Sequence, residues 1–332
     1  MTEGITFVVP VRDEASTVEA ALESLAAQTV GPESLEVLVF DGRSTDGTTE
    51  RCRAVGARHA WLRFEVHDNP EATVPYALVE GLRRARCPWL SRLDGRARLS
   101  PAYVEVCLRR LAELPPLSAV GGRLVAEAEG TIPASIAAAV THPLGVGRGF
   151  RTARRNVELP HHPFAVWRTD DVRRLGGFDL RLVRNQDDEF SMRARARGAR
   201  ILLEPEAQVA YRPRERFRGL GAQYFQYGLW KSAVAVRTGL FPARALAPAA
   251  VTLALAGAVG LGVSDRTRIP LGALAAFYLA GGAMAARRLP AASSPVTAAA
   301  LATVHSAYGA GVLAGFLCPQ LAEGRLGTGR LR

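Results

Sequence analysis

Residues 5–11 (Ile-Thr-Phe-Val-Val-Pro-Val) form an almost unbroken apolar run, the pattern of a strand buried on both faces. A turn follows, and then Ser16-Thr17-Val18-Glu19. Ser16 with Glu19 has capping-box spacing and predicts a helix start. Val18, Ala21, Leu22, Leu25 and Ala26 continue it at helical spacing. Residues 35–40 are the next strand and end in Asp41-Gly42-Arg43-Ser44-Thr45-Asp46-Gly47, where Ser44 or Thr45 can cap a second helix. A short strand over 62–66, a loop at Asn69-Pro70, a helix over 74–85 and a strand over 89–93 complete this half. Such alternation predicts a parallel sheet flanked by helices. Ligands then bind beyond the strands' carboxyl ends, where residues 10–14, 41–46 and Asp94 fall.

The middle of the chain is less regular. Residues 134–140 fit a short helix and 142–150 are Gly-rich. His161-His162-Pro163 reads as a loop entering a strand, 169–175 as a short capped helix closed by Gly176-Gly177, and 187–197 as a helix with acids in its first turn and Arg in its last. Residues 201–203 and 208–211 look like strand pieces. Residues 216–237 are amphipathic and rich in Tyr, Trp, Phe and Arg, a mix suited to a membrane surface. Three Ala- and Gly-rich spans follow, over 245–263, 269–286 and 296–317. Each approaches the length that crosses a bilayer, and none carries an acidic or basic residue other than His305.

Composition changes this picture little. The formal net charge is +11, and Lys231 is the single Lys among 42 basic residues. Part of that bias fits a GC-rich genome, and a basic surface beside anionic lipid and an anionic substrate accounts for the rest; no nucleic-acid partner is expected. Cys52, Cys87, Cys107 and Cys318 stand alone without metal-ligand spacing and read as core residues. The apolar run at the N-terminus is too short for a signal peptide, and Asp13-Glu14 follow it at once. His161 and His162 are adjacent, and neighbours on a strand point to opposite faces, which argues against one shared ion.

Four motifs in order carry a family resemblance: Val9-Pro10-Val11-Arg12-Asp13-Glu14, Asp41 through Thr48, Asn185-Gln186-Asp187-Asp188-Glu189, and Gln223-Tyr224-Phe225-Gln226-Tyr227-Gly228-Leu229-Trp230-Lys231. Over residues 4–235 the chain resembles the family 2 glycosyltransferases. It is most similar to the membrane-associated glucosyltransferases of succinoglycan-type exopolysaccharide synthesis. The resemblance implies the GT-A fold, an α/β architecture with a Rossmann-like, mixed but mostly parallel sheet flanked by helices, here followed by C-terminal transmembrane helices. It also implies a UDP-sugar donor, UDP-glucose above all. A uracil ring N–H needs an acceptor, which Asp41 can supply, while Pro10 and Arg12 shape and cover the slot and Glu14 contacts the nucleotide. Asp41 through Asp46 also read as a plain turn and cap, and for Ser44 and Asp46 that role is the expected one.

Asp94 falls where the family places the first acid of its Asp-x-Asp motif, which meets the diphosphate through Mg²⁺ or Mn²⁺. The third position is Arg96, a departure. A guanidinium ligates no metal but can bind diphosphate directly, so dependence on a divalent cation at Asp94 is expected to be weak. By the resemblance Asp187 is the catalytic base that deprotonates the acceptor hydroxyl, with Gln186 in the place of the family's preceding acid. Without the resemblance, acids at a helix N-terminus need no catalysis. Gln186, Asp188, Gln223 and Gln226 make up the expected acceptor site. Gln223-x-x-Gln226-Tyr227 lacks the Arg and Trp of the corresponding segment in processive relatives, which fits addition of a single sugar.

The expected organisation is a GT-A domain over 1–215, an interfacial helix over 216–240, about three membrane helices over 245–318 and a basic tail over 319–332. The expected setting is the inner membrane, multi-pass, with the catalytic domain cytoplasmic. The expected partners are the UDP-sugar, a lipid-linked glycan acceptor and other polysaccharide-synthesis proteins. Two other readings stay open: a polyprenol-phosphate sugar transferase, and a catalytically silent membrane scaffold that binds nucleotide sugar.

Overall fold

The structure, a computed structural model, describes residues 4–146, 149–239, 246–261 and 265–318. These fall into two compact units, one of residues 4–125 and 153–211, the other of 126–152 and 212–318.

The first unit is built on one sheet. Its strands are β1 (Ile5–Val11), β2 (Leu35–Asp41), β3 (Arg63–Asp68), β4 (Trp89–Arg92), β5 (Ala97–Leu99), β6 (Ser118–Ala126), β7 (Val157–Glu158), β8 (Val166–Arg168) and β9 (Arg200–Tyr211). The order is β3-β2-β1-β4-β8-β6-β9-β5, with β7 pairing to β9. β3, β2, β1 and β4 are mutually parallel, while β8 runs antiparallel to both β4 and β6, and β5 and β7 antiparallel to β9. The parallel half matches the sequence expectation because β1 and β2 are buried along their whole length. The two expected pieces at 201–203 and 208–211 are one twelve-residue strand, β9. Pro205 within it donates no ladder bond, which breaks the sequence pattern without breaking the strand.

Helices α1 (Val18–Ala26), α2 (Thr48–Arg58), α3 (Val74–Arg84), α4 (Tyr103–Ala112), α7 (Thr169–Arg174) and α8 (Gln186–Arg195) belong to this unit. Two expected caps do not form. Thr17, not Ser16, precedes α1, with no side-chain cap. Glu19 is instead drawn to Arg58 (2.7 Å) and Arg51 (3.5 Å) on α2. Helix α2 starts after Gly47, whose φ of +89° is cheap only for glycine, because Ser44 and Thr45 are bonded elsewhere. At the strands' amino ends Glu36, 1% exposed, accepts bonds from Arg63 (2.7 Å), the Arg86 N–H (2.8 Å) and Thr6. These partners commit Glu36 to the fold.

The second unit holds α5 (Thr131–Val140), α6 (Pro143–Val146), α9 (Phe217–Thr238), α10 (Leu246–Leu261), α11 (Asp265–Ala286) and α12 (Ser294–Leu317). Its core joins Ile136, Val140, Leu220, Tyr224, Leu301 and Val304. Helices α9 and α12 approach at backbone distance: a Cβ on Gly228 would overlap the Tyr308 carbonyl, and one on Gly311 the Phe225 carbonyl. Small residues permit such contact in apolar surroundings. Among the described residues, Ile269–Ala286 and Ser294–Leu317 are long and apolar enough to cross a membrane. The expected span at 245–263 corresponds to α10, which has 16 residues, fewer than the roughly 20 a crossing takes. Residues 245, 262 and 263 and the basic tail over 319–332 lie outside the described residues.

Candidate active site

β2, β1 and β4 are neighbours, so residues at their carboxyl ends are brought side by side: Asp41 as the last residue of β2, Arg12 to Glu14 after β1, and Asp94 two residues beyond β4. The loops after β1 and β2 latch onto each other. Ser44 Oγ accepts the Asp13 N–H (2.9 Å), and Asp13 accepts the Thr45 N–H (3.0 Å). Asp46 accepts the Ala15 N–H (3.0 Å) and the Thr48 N–H (3.1 Å), while Thr48 Oγ1 accepts the Glu14 N–H (2.8 Å). Burial pushes the Asp46 carboxyl upward, but the bonds from Thr48 and Ala15 outweigh it and hold the group below its ordinary value. Ser44 and Asp46 therefore do structural work, by latching the two loops together and not by the helix cap expected of Ser44. Asp41 accepts from Ser44 and from Thr49 Oγ1 (2.9 Å) and is 9% exposed. Pro10 lies within β1, opposite Phe40. Arg12 is mostly covered; its Nε and Nη1 are buried without a hydrogen bond, and its ion pair to Asp13 is long at 3.7 Å.

Arg96 is half-buried and committed to a partner. Its Nε and Nη2 both donate to Glu14 Oε1, at 3.0 and 2.8 Å. Burial raises the Glu14 carboxyl above its ordinary value; Arg96 opposes that rise, and the Asp94 charge adds to it. Asp94 is paired in turn with Arg92, whose Nε donates to Oδ1 at 2.6 Å. Asp94 Oδ2 accepts no hydrogen bond from the described residues. Among those residues no group of three or more His, Cys, Asp and Glu is placed to hold a metal ion. One open carboxylate oxygen still fits a divalent ion whose other ligands are diphosphate and water, the usual habit of Mg²⁺ at phosphate sites. Asp94 would hold such an ion, which would supply charge neutralisation on the diphosphate.

Asp187 enters from α8. Phe190, 2% exposed, anchors that helix against Trp167 and Phe178, with ring centroids 5.1 and 4.9 Å away. Arg193 ties it down by bonding Glu189 and the carbonyls of Leu175 and Gly177. Glu189 is thus committed to the fold. Asp188, 8% exposed, pairs with His161 at 3.5 Å, and Gln186 is buried. Asp187 and Arg92 line one cleft together with Ser91, His162, Pro163 and Trp167. Arg92 therefore joins the base candidate to Asp94. Gln223 and Gln226 belong to the second unit, on α9, where Gln223 Nε2 donates to the Tyr227 hydroxyl (2.9 Å).

Sequence reasoning missed Arg92 and the pairing of Glu14 with Arg96. The first was readable: strand alternation puts residues 92 and 94 on one face. The second needed the adjacency of β1 and β4. His162 is no ligand, being buried with Nε2 donating to the Gly122 carbonyl (2.7 Å) and Nδ1 accepting the Phe164 N–H (3.1 Å). Cys52, Cys87 and Cys107 are buried, as expected of core residues.

A mixed sheet whose parallel strands end in acids at one edge is the GT-A arrangement, and it makes the first unit a nucleotide-sugar transferase fold. Residues 6–176 match the family model described as glycosyl transferase family 2, and the chain belongs to that family; it is a glycosyltransferase. It is 29% identical over 313 residues to the succinoglycan biosynthesis protein ExoA of Rhizobium meliloti, covering 92% of each chain. It is 24% identical over 243 residues, 71% of this chain and 75% of the relative, to a dolichyl N-acetyl-alpha-D-glucosaminyl phosphate 3-beta-D-2,3-diacetamido-2,3-dideoxy-beta-D-glucuronosyltransferase of Methanococcus voltae. Among solved structures it resembles the mannosyltransferase PcManGT of Pyrobaculum calidifontis, determined with GDP-Man and Mn²⁺. The TM-score is 0.65 at 21% identity, covering 95% of this chain and 88% of that one.

Proposed function

We propose that this enzyme moves a single sugar, glucose, from a UDP-sugar to a lipid-linked oligosaccharide during synthesis of an exopolysaccharide or another cell-surface glycan, inverting the anomeric centre. Asp41, Pro10, Arg12 and Glu14 take the nucleoside, Asp94 and Arg96 take the diphosphate end, and Asp187 removes the proton from the acceptor hydroxyl. In the first unit Gln186 and Asp188 meet the acceptor, and in the second Gln223 and Gln226 are acceptor residues in their own right. A positioned carboxylate is worth roughly 10²–10⁴-fold for such a poor nucleophile.

The observation that carries this reading is the single cleft lined by Asp187 and Arg92, with Arg92 bonded to Asp94. It puts the base candidate and the diphosphate acid at opposite ends of one short chain of contacts. Likeness to a succinoglycan biosynthesis protein along nearly the whole chain supports the glycan class, and likeness to a transferase that acts on a dolichyl-phosphate-linked sugar supports a lipid-linked acceptor. The two apolar helices support a multi-pass inner-membrane protein whose catalytic unit is cytoplasmic and works beside other polysaccharide-synthesis proteins. Confinement of donor site and lipid acceptor to one surface raises the effective acceptor concentration. A Mg²⁺ or Mn²⁺ ion belongs to this reading as an ion carried by the diphosphate and touching Asp94.

The test is transfer by membrane fractions from a panel of labelled nucleotide sugars that includes UDP-glucose and GDP-mannose. Label from UDP-glucose entering an organic-soluble oligosaccharide is the expected result. Label entering only a lipid monophosphate, or only water, overturns the reading.

A further inference from the structure

We propose that Arg92 is the positioning residue of the diphosphate site, holding Asp94 by one oxygen so that the other turns to the donor. The inference rests on the donor reading of Asp94 given above. Six charged groups lie in sequence at the ends of β1 and β4, among which Arg12 pairs with Asp13 at 3.7 Å. Arg96 is bonded twice to Glu14, so its charge is matched inside the protein. Arg92 is bonded to Asp94 at 2.6 Å, with the arginine side chain 14% exposed and the aspartate 31%. Three cations balance three anions, and the row is neutral. A diphosphate approaching a neutral row meets no net repulsion. Without Arg92 the row is left with one net negative charge, and the cleft keeps the Asp187 carboxylate as well. The donor end then turns against its own ligand.

Geometry adds to charge. Asp94 sits in the turn beyond β4, and among the described residues the Arg92 bond to Oδ1 is the one that fixes its carboxylate, with none to Oδ2. A partner that orients a ligating carboxylate typically matters 10–100-fold for affinity. The planar guanidinium fork also fixes the direction of that one Nε–H bond in a way that a freely rotating ammonium does not. Arg92 additionally faces the cleft of Asp187, so one side chain sets the spacing between the donor end and the base end of the site.

The experiment measures binding, not turnover. Affinity for UDP is determined by calorimetry on the detergent-solubilised full chain, with Mn²⁺ and again with EDTA, for the wild type, R92K, R92Q, R92M and D94N. Thermal unfolding is followed in parallel. R92M and R92Q are expected to lose roughly 10–100-fold in UDP affinity in Mn²⁺, with R92K intermediate because it keeps the charge and loses the fork. Binding by R92Q and R92M within twofold of wild type overturns the proposal. So does R92K no tighter than R92Q, since the charge then plays no part. D94N separates the two levels: lost affinity in D94N with intact R92M binding removes only the role of Arg92, whereas unchanged D94N binding removes the donor site itself.

Discussion

His162 offers a sharp handle on the wall of the cleft. It is 3% exposed and held at both ring nitrogens, donating to the Gly122 carbonyl and accepting the Phe164 N–H. A second proton at Nδ1 would meet an N–H donor. Burial above all, with the neighbouring His161 charge, pulls its pKa from 6.5 down to about 4, against the Gly122 carbonyl, which raises it. Between those two values the unfolded chain binds more protons than the folded one, so acid favours unfolding. The stability tied to a neutral His162 is complete above about pH 6.5 and is lost as the pH falls through about 4. At about 1.4 kcal/mol per pH unit the loss is ~3 kcal/mol. The variant H162Q keeps an N–H for Gly122 and cannot take up the proton. Denaturant unfolding of the solubilised protein, followed by tryptophan fluorescence (Trp167 lines the same cleft), should be measured from about pH 7 to about pH 4 for both proteins. The wild type is expected to start more stable and to lose ~3 kcal/mol more than H162Q across that range. Parallel pH profiles would refute the reasoning, since His162 would then titrate as an exposed imidazole does.

Three further outcomes follow from the packing and the charges. The buried Tyr103 hydroxyl donates to the Phe164 carbonyl (2.8 Å) and accepts the Gly122 N–H (3.2 Å). Tyr103→Phe strands that N–H while Ser91 still serves the carbonyl, so unfolding experiments should read a loss of about 1–3 kcal/mol. Gly311→Val drives a side chain into the Phe225 carbonyl, and thermal unfolding in detergent should show a loss of about 1–3 kcal/mol or more, with secondary structure of the first unit retained by circular dichroism. Glu36→Ala strands the Arg86 N–H and the Thr6 hydroxyl while Arg63 keeps Glu65, and unfolding experiments should read a loss of about 1–3 kcal/mol, while UDP affinity in the folded fraction stays unchanged because Glu36 lies at the far ends of the strands.

The parallel half of the sheet was legible because β1, β2 and the α1 stripe follow simple periods and are buried as those periods demand. The caps were not, because Ser16, Glu19, Ser44 and Thr45 can each bond locally or across loops, and tertiary partners decided: Arg58 for Glu19, Asp13 for Ser44 and Thr45. Strand β6 was not legible because Gly121-Gly122 interrupt its apolar run, yet they let His162 and Tyr103 lie against the strand. Within the site, the acids at 41, 94 and 187 were readable from motif order. The pairing that tempers them was not, because Glu14 with Arg96 spans 82 residues and Asp188 with His161 spans 27. Charge partners across strand ends depend on sheet order, which local sequence does not encode.

The central claim is that one carboxylate, Asp187, acts on the acceptor while the donor is held elsewhere. Its most direct measurement is sugar transfer and UDP affinity on the same preparation of Asp187→Asn. Transfer reduced by roughly 10²–10⁴-fold with UDP affinity unchanged is the predicted result. Transfer near the wild-type rate would contradict it.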